Sequence, residues 1–237
     1  MTTRPFLAFA CAHMTDERLY THQVAALSAT HDCRVFVFRD HDTMGGMAHD
    51  ILQNCPAQFT LIGLSLGGYA AFEVIRQALP RLERLVLMDT TAVADHPARR
   101  QGRLQDIAKV QQGGIDALVP ELPSRWLLPA HVGNPALVDL MGSMARSVGA
   151  RGQFNQQTAM LGRPDSHADL KRVQVPTLMV CGRQDPVTPL ADHRAMAACV
   201  AGSRLEVIED CGHLSTIEQP VAVTQVLVDW LGSTQAG

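Results

Sequence analysis

The chain's 237 residues can bury a core large enough to fold as one domain, with or without an insertion, without disulfide staples. A formal net charge of −3 with no run of like charges excludes the basic footprint that nucleic acid or an anionic membrane surface requires. Six scattered cysteines (Cys11, Cys33, Cys55, Cys181, Cys199 and Cys211) form no C-x-x-C pair, so they read as reduced, mostly structural thiols rather than metal knuckles.

The N-terminal stretch MTTRPFLAFACAHM is soon broken by His13, Asp16 and Glu17, too early for a signal peptide or a membrane span, so a cytoplasmic protein is expected. Four short apolar runs then read as buried strands: FLAFA (6–10), RVFVF (34–38), FTLIG (59–63) and RLVLM (84–88). Helical periodicity separates them at 19–27, at 47–55 after Thr43, and at 70–79, which stops before Pro80. Alternation of this kind predicts an α/β fold with a doubly wound, mostly parallel sheet covered on both faces. From 92 to 170 the pattern lapses into helices and loops broken by Gly113-Gly114, several prolines and Gly162-Arg163-Pro164. This segment is expected to form a helical cap inserted between a first core part, 1–91, and a second, 171–237. The core pattern resumes with TLMVCG (177–182), a helix over 192–200, RLEVIED (204–210) and a last helix over 221–231.

Within this order, GLSLGG (63–68) stands where strand becomes helix. Such a turn lifts a serine out at the carboxyl end of a parallel strand. Ser65 needs strained backbone angles there, and small neighbours two residues away let the helix close on the strand. A serine hydroxyl reacts only when a base takes its proton, and a histidine oriented by a carboxylate is the usual base. His213, in the loop between LEVIE and the last helix, lies at another carboxyl strand end. Asp185, in CGRQDPVTP, precedes it and completes the chain order Ser, Asp, His. Asp89, ending RLVLM, is the second candidate acid and Asp210 the third. Charge developing on a substrate oxygen calls for preorganised donors. The backbone N–H groups of Leu66, opening the helix, and His13, in the loop after the first strand, are the candidates.

At this point the chain resembles the α/β-hydrolase superfamily, on GLSLGG (63–68), LVLMDT (85–90), PTLMVCGRQDPVTP (176–189) and LEVIEDCGHLSTIEQP (205–220). Within it, the chain is similar to small capped carboxylesterases, carrier-protein methyl esterases and ring-cleavage-product hydrolases. The resemblance implies Ser65 as nucleophile, His213 as base and Asp185 as acid. Two positions depart from it. Cys11-Ala12 replaces the His-Gly pair common after the first strand, and RDHDTMGGM (39–47) replaces an Asp-x-x-Gly-x-Gly loop, a change expected to reshape the pocket floor or entrance. Apolar residues of the cap and loops, with Met14, Trp126, Met141, Met144, Met160 and Leu214 as the pocket set, suit an apolar acyl or alkyl group. Arg125, Arg146 and Arg151 read as solvated helix arginines, with binding of a carboxylate or a carrier phosphate as the alternative.

The expected activity is cleavage of a carboxylic ester of a small, largely apolar molecule through an acyl-enzyme. Thioesters, lactones and carbon–carbon substrates could use the same parts, and a non-catalytic ligand-binding protein is the competing class. The absence of a clustered Cys/His set and of G-x-G-x-x-G after the first strand leads to the expectation of no metal and no cofactor. Neither nucleic acid nor membrane is an expected partner, and no oligomeric state is assigned.

Overall fold

The computed structural model describes residues 4–233. Six strands, β1 (Phe6–Ala10), β2 (Asp32–Phe36), β3 (Phe59–Leu64), β4 (Leu82–Met88), β5 (Thr177–Gly182) and β6 (Arg204–Ile208), form one sheet in the order β2-β1-β3-β4-β5-β6. Every pairing is parallel, with Ala8 opposite Leu61, Leu61 opposite Leu85 and Leu87 opposite Met179. Parallel neighbours require crossovers, and helices supply them. These are α1 (Thr21–Leu27), α2 (Met44–Asn54) and α3 (Leu66–Ala78), with α8 (Leu190–Cys199) between β5 and β6, while α9 (Ser215–Glu218) and α10 (Pro220–Ser233) follow the last strand.

Side chains alternate across the strands, so each run feeds two cores. Phe9, Ile62, Val86 and Val180 pack with Leu27, Leu227 and Trp230 on one face. Ala8, Leu61, Leu85 and Met179 pack with Phe72, Ile75 and Met196 on the other. Burial on both faces is why β3 and β5 read as unbroken apolar runs.

Between β4 and β5 the chain is helical: α4 (Pro97–Gly113), α5 (Leu122–Trp126), α6 (Pro135–Met160) and α7 (His167–Leu170). Helix α6 kinks at Gly149, whose φ of 73° breaks the helical path.

Most element boundaries shift by a few residues from expectation, and at β2 and α3 the physical cause is plain. Strand β2 begins at Asp32 and its ladder stops at Phe36, where the Cys11 N–H reaches the Phe36 carbonyl at 3.0 Å. Phe38 is fully buried yet outside the ladder, because an apolar run reports burial and not pairing. Helix α3 starts four residues before the expected 70. Its Leu66-Gly67-Gly68 opening has poor helix propensity but is wedged against β1 and β4, and tertiary packing overrides propensity.

Candidate active site

Three loops at the carboxyl edge of the sheet converge on one point. Ser65 joins β3 to α3 with φ 53° and ψ −108°, a conformation costly for a residue with a side chain. Its N–H bonds the Met88 carbonyl at 3.0 Å, and the Thr90 hydroxyl donates to the Ser65 carbonyl at 2.9 Å. The surrounding glycines are sterically required: a Cβ on Gly63 would lie 2.4 Å from the Gly67 carbonyl oxygen, and one on Gly67 would lie 2.0 Å from that of Ala10.

Asp185 follows β5. Its Oδ1 accepts the N–H groups of Val187 (2.7 Å) and Thr188 (2.9 Å), and its Oδ2 accepts the Thr188 hydroxyl at 2.7 Å. Burial would raise this carboxyl, but the His213 ring and these donors prevail and its pKa lies below the ordinary carboxylate value. An ionised acceptor assigns the proton to His213 Nδ1, which lies 3.0 and 2.9 Å from the two Asp185 oxygens. The Nε2 lone pair then faces Ser65 Oγ at 3.0 Å. Burial would lower His213, but the attraction of Asp185 and its hydrogen bond outweigh this and raise its pKa above the ordinary 6.5. Ser65, Asp185 and His213 are each buried to within 8% residual exposure.

The histidine loop is fixed from outside. The His213 N–H bonds the Trp126 carbonyl at 2.8 Å, and buried Glu218 accepts the N–H groups of Leu214 (3.1 Å) and Leu128 (2.8 Å). Asp89 does not reach His213. Its oxygens accept the Gly182 N–H at 3.0 Å, the Ser215 N–H at 3.2 Å and the Ser215 hydroxyl. Burial, then repulsion by Asp185, pushes Asp89 up to about 7. Asp210 is exposed, and its carbonyl accepts from Gln219. Sequence reasoning missed the supporting roles of Thr188, Ser215 and Glu218, which only folded neighbours reveal. The T of DPVTP, three residues after Asp185, was the one local signal, since such spacing lets a threonine turn back on an aspartate.

Oxygens of Asp89 and Asp185 and the Cys181 sulfur lie within 4.8 Å of one another. These carboxylate oxygens already accept protein donors, and burial raises the Cys181 thiol, a donor set ill suited to a cation.

A cavity of about 330 Å3 opens over Ser65 and His213. Ala12, His13, Tyr69, Trp126, Met160 and Leu214 line it, together with Val187. Leu66 opens α3, where a helical N–H has no acceptor one turn back. His13 faces the cavity, its Nδ1 held 2.8 Å from Gln156 Oε1. That oxygen also accepts the Met14 N–H at 2.9 Å, while Gln156 Nε2 donates to the Phe38 carbonyl. The His13 imidazole therefore donates from Nδ1, and burial, with Arg103 nearby, lowers its pKa to about 3.

Met14, Met141 and Met144 do not line the cavity. All three are buried in the apolar cluster with Leu118, Leu122 and Leu127, because helical spacing marks apolar residues without saying which face meets the cleft. Residues 39–47 supply no lining either; the Arg39 and Phe38 carbonyls instead anchor α6 through Asn155 and Gln156. Arg146 and Arg151 pair with Asp116 and Asp40 away from the cavity, whereas Arg125 lines it while paired with Asp106 and Glu121. Arg99 and Arg103 of α4 line it as well.

The family model described as "Alpha/beta hydrolase family" matches residues 12–226. A 3-oxoadipate enol-lactonase of Acinetobacter baylyi is 28% identical over 166 residues, spanning 70% of this chain and 60% of that relative's length. A pimeloyl-[acyl-carrier protein] methyl ester esterase of Nitrosomonas europaea is 25% identical over 216 residues, spanning 86% of this chain and 82% of the relative. Among solved structures, a thermophilic esterase from Thermogutta terrifontis with malate bound superposes with a TM-score of 0.89 at 28% identity, covering 98% of this chain and 90% of that one. With the match running from the first strand's loop to the last helix, the chain belongs to the alpha/beta hydrolase family.

Proposed function

We propose that this chain is a serine hydrolase that cleaves a carboxylic ester of a small molecule through an acyl-enzyme. The observation that carries the reading is the continuous chain from Asp185 through His213 to Ser65 Oγ at the floor of the cavity. In the proposed sequence, His213 Nε2 takes the Ser65 proton as Oγ attacks the carbonyl carbon. The oxyanion accepts the N–H groups of Leu66 and His13, the first of them strengthened by the α3 dipole. His213 then protonates the departing alkoxide, and the same imidazole activates water to release the acid and restore Ser65. Residues 92–170 act as a cap, with α4 and α5 walling the cleft and excluding water during acyl transfer.

A lactone is the second reading, favoured by the enol-lactonase relative. The chemistry is the same, but the leaving hydroxyl stays tethered to the acyl group. A small-molecule partner suits a cavity of this size, and no helix among the described residues is long and apolar enough to cross a membrane.

The test is release of p-nitrophenol from aryl esters of increasing acyl length, with labelling by a fluorophosphonate. Burst kinetics and labelling that both vanish in Ser65→Ala are expected. Turnover that survives in this variant refutes the reading.

A further inference from the structure

Three arginines, Arg99, Arg103 and Arg125, line the cleft with one acid, Asp106. Arg99 and Arg103 stand one turn apart on α4, on the same helix face, and both line the cavity. Arg103 is held in place: its Nε donates to Asp95 at 3.1 Å and its Nη1 to Gln157 Oε1 at 3.1 Å. Among the described residues, nothing accepts from its Nη2. Arg99 donates one bond, to the Val187 carbonyl at 2.7 Å, and no carboxylate pairs with it among the described residues. Behind them lies Arg163, only 4% exposed, its guanidinium 3.8 Å from the centroid of the Tyr69 ring that lines the cleft. Arg163 Nε and Nη2 are buried without a partner, and so is Asp95 Oδ2. Of the Arg99, Arg103 and Arg163 guanidinium groups only that of Arg103 is paired with a carboxylate, Asp95, among the described residues, and the acid that lines the cleft, Asp106, is taken by Arg125, which also pairs with Glu121.

A buried or half-buried cation without a counterion is unfavourable unless a ligand supplies the charge. The fold holds Arg163 through the Val93 carbonyl and the Tyr69 ring but leaves its Nε and Nη2 unused, and exposed Arg99 makes a single bond, to a carbonyl, at the edge of the cleft. From this geometry we infer that the cleft accepts a substrate bearing a carboxylate on the end remote from the scissile carbonyl, seated by Arg99 and Arg103. A planar guanidinium fork suits a carboxylate, and Arg163 adds charge through Tyr69 without touching the ligand. The inference rests on the ester-hydrolase reading for the reaction and on the arginines for the charge.

The test compares mono-p-nitrophenyl glutarate with its methyl ester, which masks the distal carboxylate, reading p-nitrophenol release from both. In the wild type, kcat/KM for the free acid should exceed that for the methyl ester by about tenfold, mostly through KM and diminishing with salt. Arg99→Gln, at an exposed position that tolerates change, and Arg103→Gln should each reduce this ratio several-fold. Arg100→Gln removes the same charge from the same helix at a position that does not line the cavity, and should leave the ratio near its wild-type value. A wild-type ratio near one, or an equal drop in Arg100→Gln, overturns the inference.

Calorimetric titration of Ser65→Ala with glutarate separates this from failure of the hydrolase reading. Binding that is lost in Ser65→Ala/Arg99→Gln upholds the anion site even if no ester is turned over. Absence of glutarate binding together with absence of free-acid preference overturns it, whatever the enzyme does with neutral esters.

Discussion

At the scale of single residues, two buried aspartates at the ends of neighbouring strands have opposite environments. Asp185 is surrounded by donors and a histidine, which keep it ionised, while Asp89 sits among backbone N–H groups with Asp185 repelling it. Replacing Asp185 by Asn should lower kcat by about 10³- to 10⁴-fold, because the amide stabilises the wrong imidazole tautomer. Asp89→Asn should keep most of the turnover and instead destabilise the fold by about 1–3 kcal/mol, since the amide NH2 takes the place of one oxygen and leaves either the Gly182 N–H or the Ser215 N–H without its acceptor. Steady-state kinetics and urea unfolding of both variants check this, and the reverse pattern would move the orienting role to Asp89. The raised His213 pKa has a kinetic sign of its own. Activity needs the neutral ring, so kcat/KM should fall as pH drops through an apparent pKa above the ordinary value of about 6.5. A pH–rate profile with its acid limb below that value would contradict the ion pair.

At the scale of elements, the first turn of helix α3 docks on the sheet through glycines, and its apolar side chains take over from Tyr69 onward. Gly67→Ala would drive a methyl group into the Ala10 backbone, and should cost on the order of 3 kcal/mol. Gly102, inside α4, has open space where a Cβ would stand, with nothing within 4 Å, so Gly102→Ala should stabilise by roughly 0.5–1 kcal/mol through helix propensity. Urea midpoints of the two variants should move in opposite directions. The GLSLGG pattern announced a close approach in this region, because glycine at both sides of a serine has little other use. The partners of that approach, Ala10 at the end of β1 and Thr90 in the loop after β4, are distant in the chain and were not legible locally.

At the scale of the whole molecule, burial of ionisable groups beneath the cleft sets the pH dependence of stability. Asp89 has an ordinary value of 3.8 and is pushed up to about 7 in the fold. Between those values the folded chain holds a proton that the unfolded chain has released, so stability falls as pH rises from about 4 to about 7, by on the order of 3 kcal/mol. His213 acts in the same direction: its pairing stabilises below the unfolded value of 6.5 and that contribution is lost as pH rises through the higher folded value. Asp185, lowered, contributes stability above 3.8 that is lost as pH falls through its folded value. Urea unfolding at about pH 5 and about pH 8 should therefore give the larger free energy at the lower pH, with a smaller difference in Asp89→Asn. Equal values at both pH values would refute the buried titration.

The alternation of apolar runs and helical periods determined the parallel α/β architecture, since strands buried on both faces must be apolar throughout. The same local grammar singled out Ser65, with its glycines, and brought Asp185 and His213 forward as its candidate partners, because each lies just beyond a strand. Only the tertiary structure decided that Asp185 rather than Asp89 meets His213, that Met14, Met141 and Met144 turn into the core, and that Arg99, Arg103 and Arg163 gather on one wall. Those outcomes depend on contacts between residues far apart in the chain, and no local period encodes the direction in which a loop or helix face finally points.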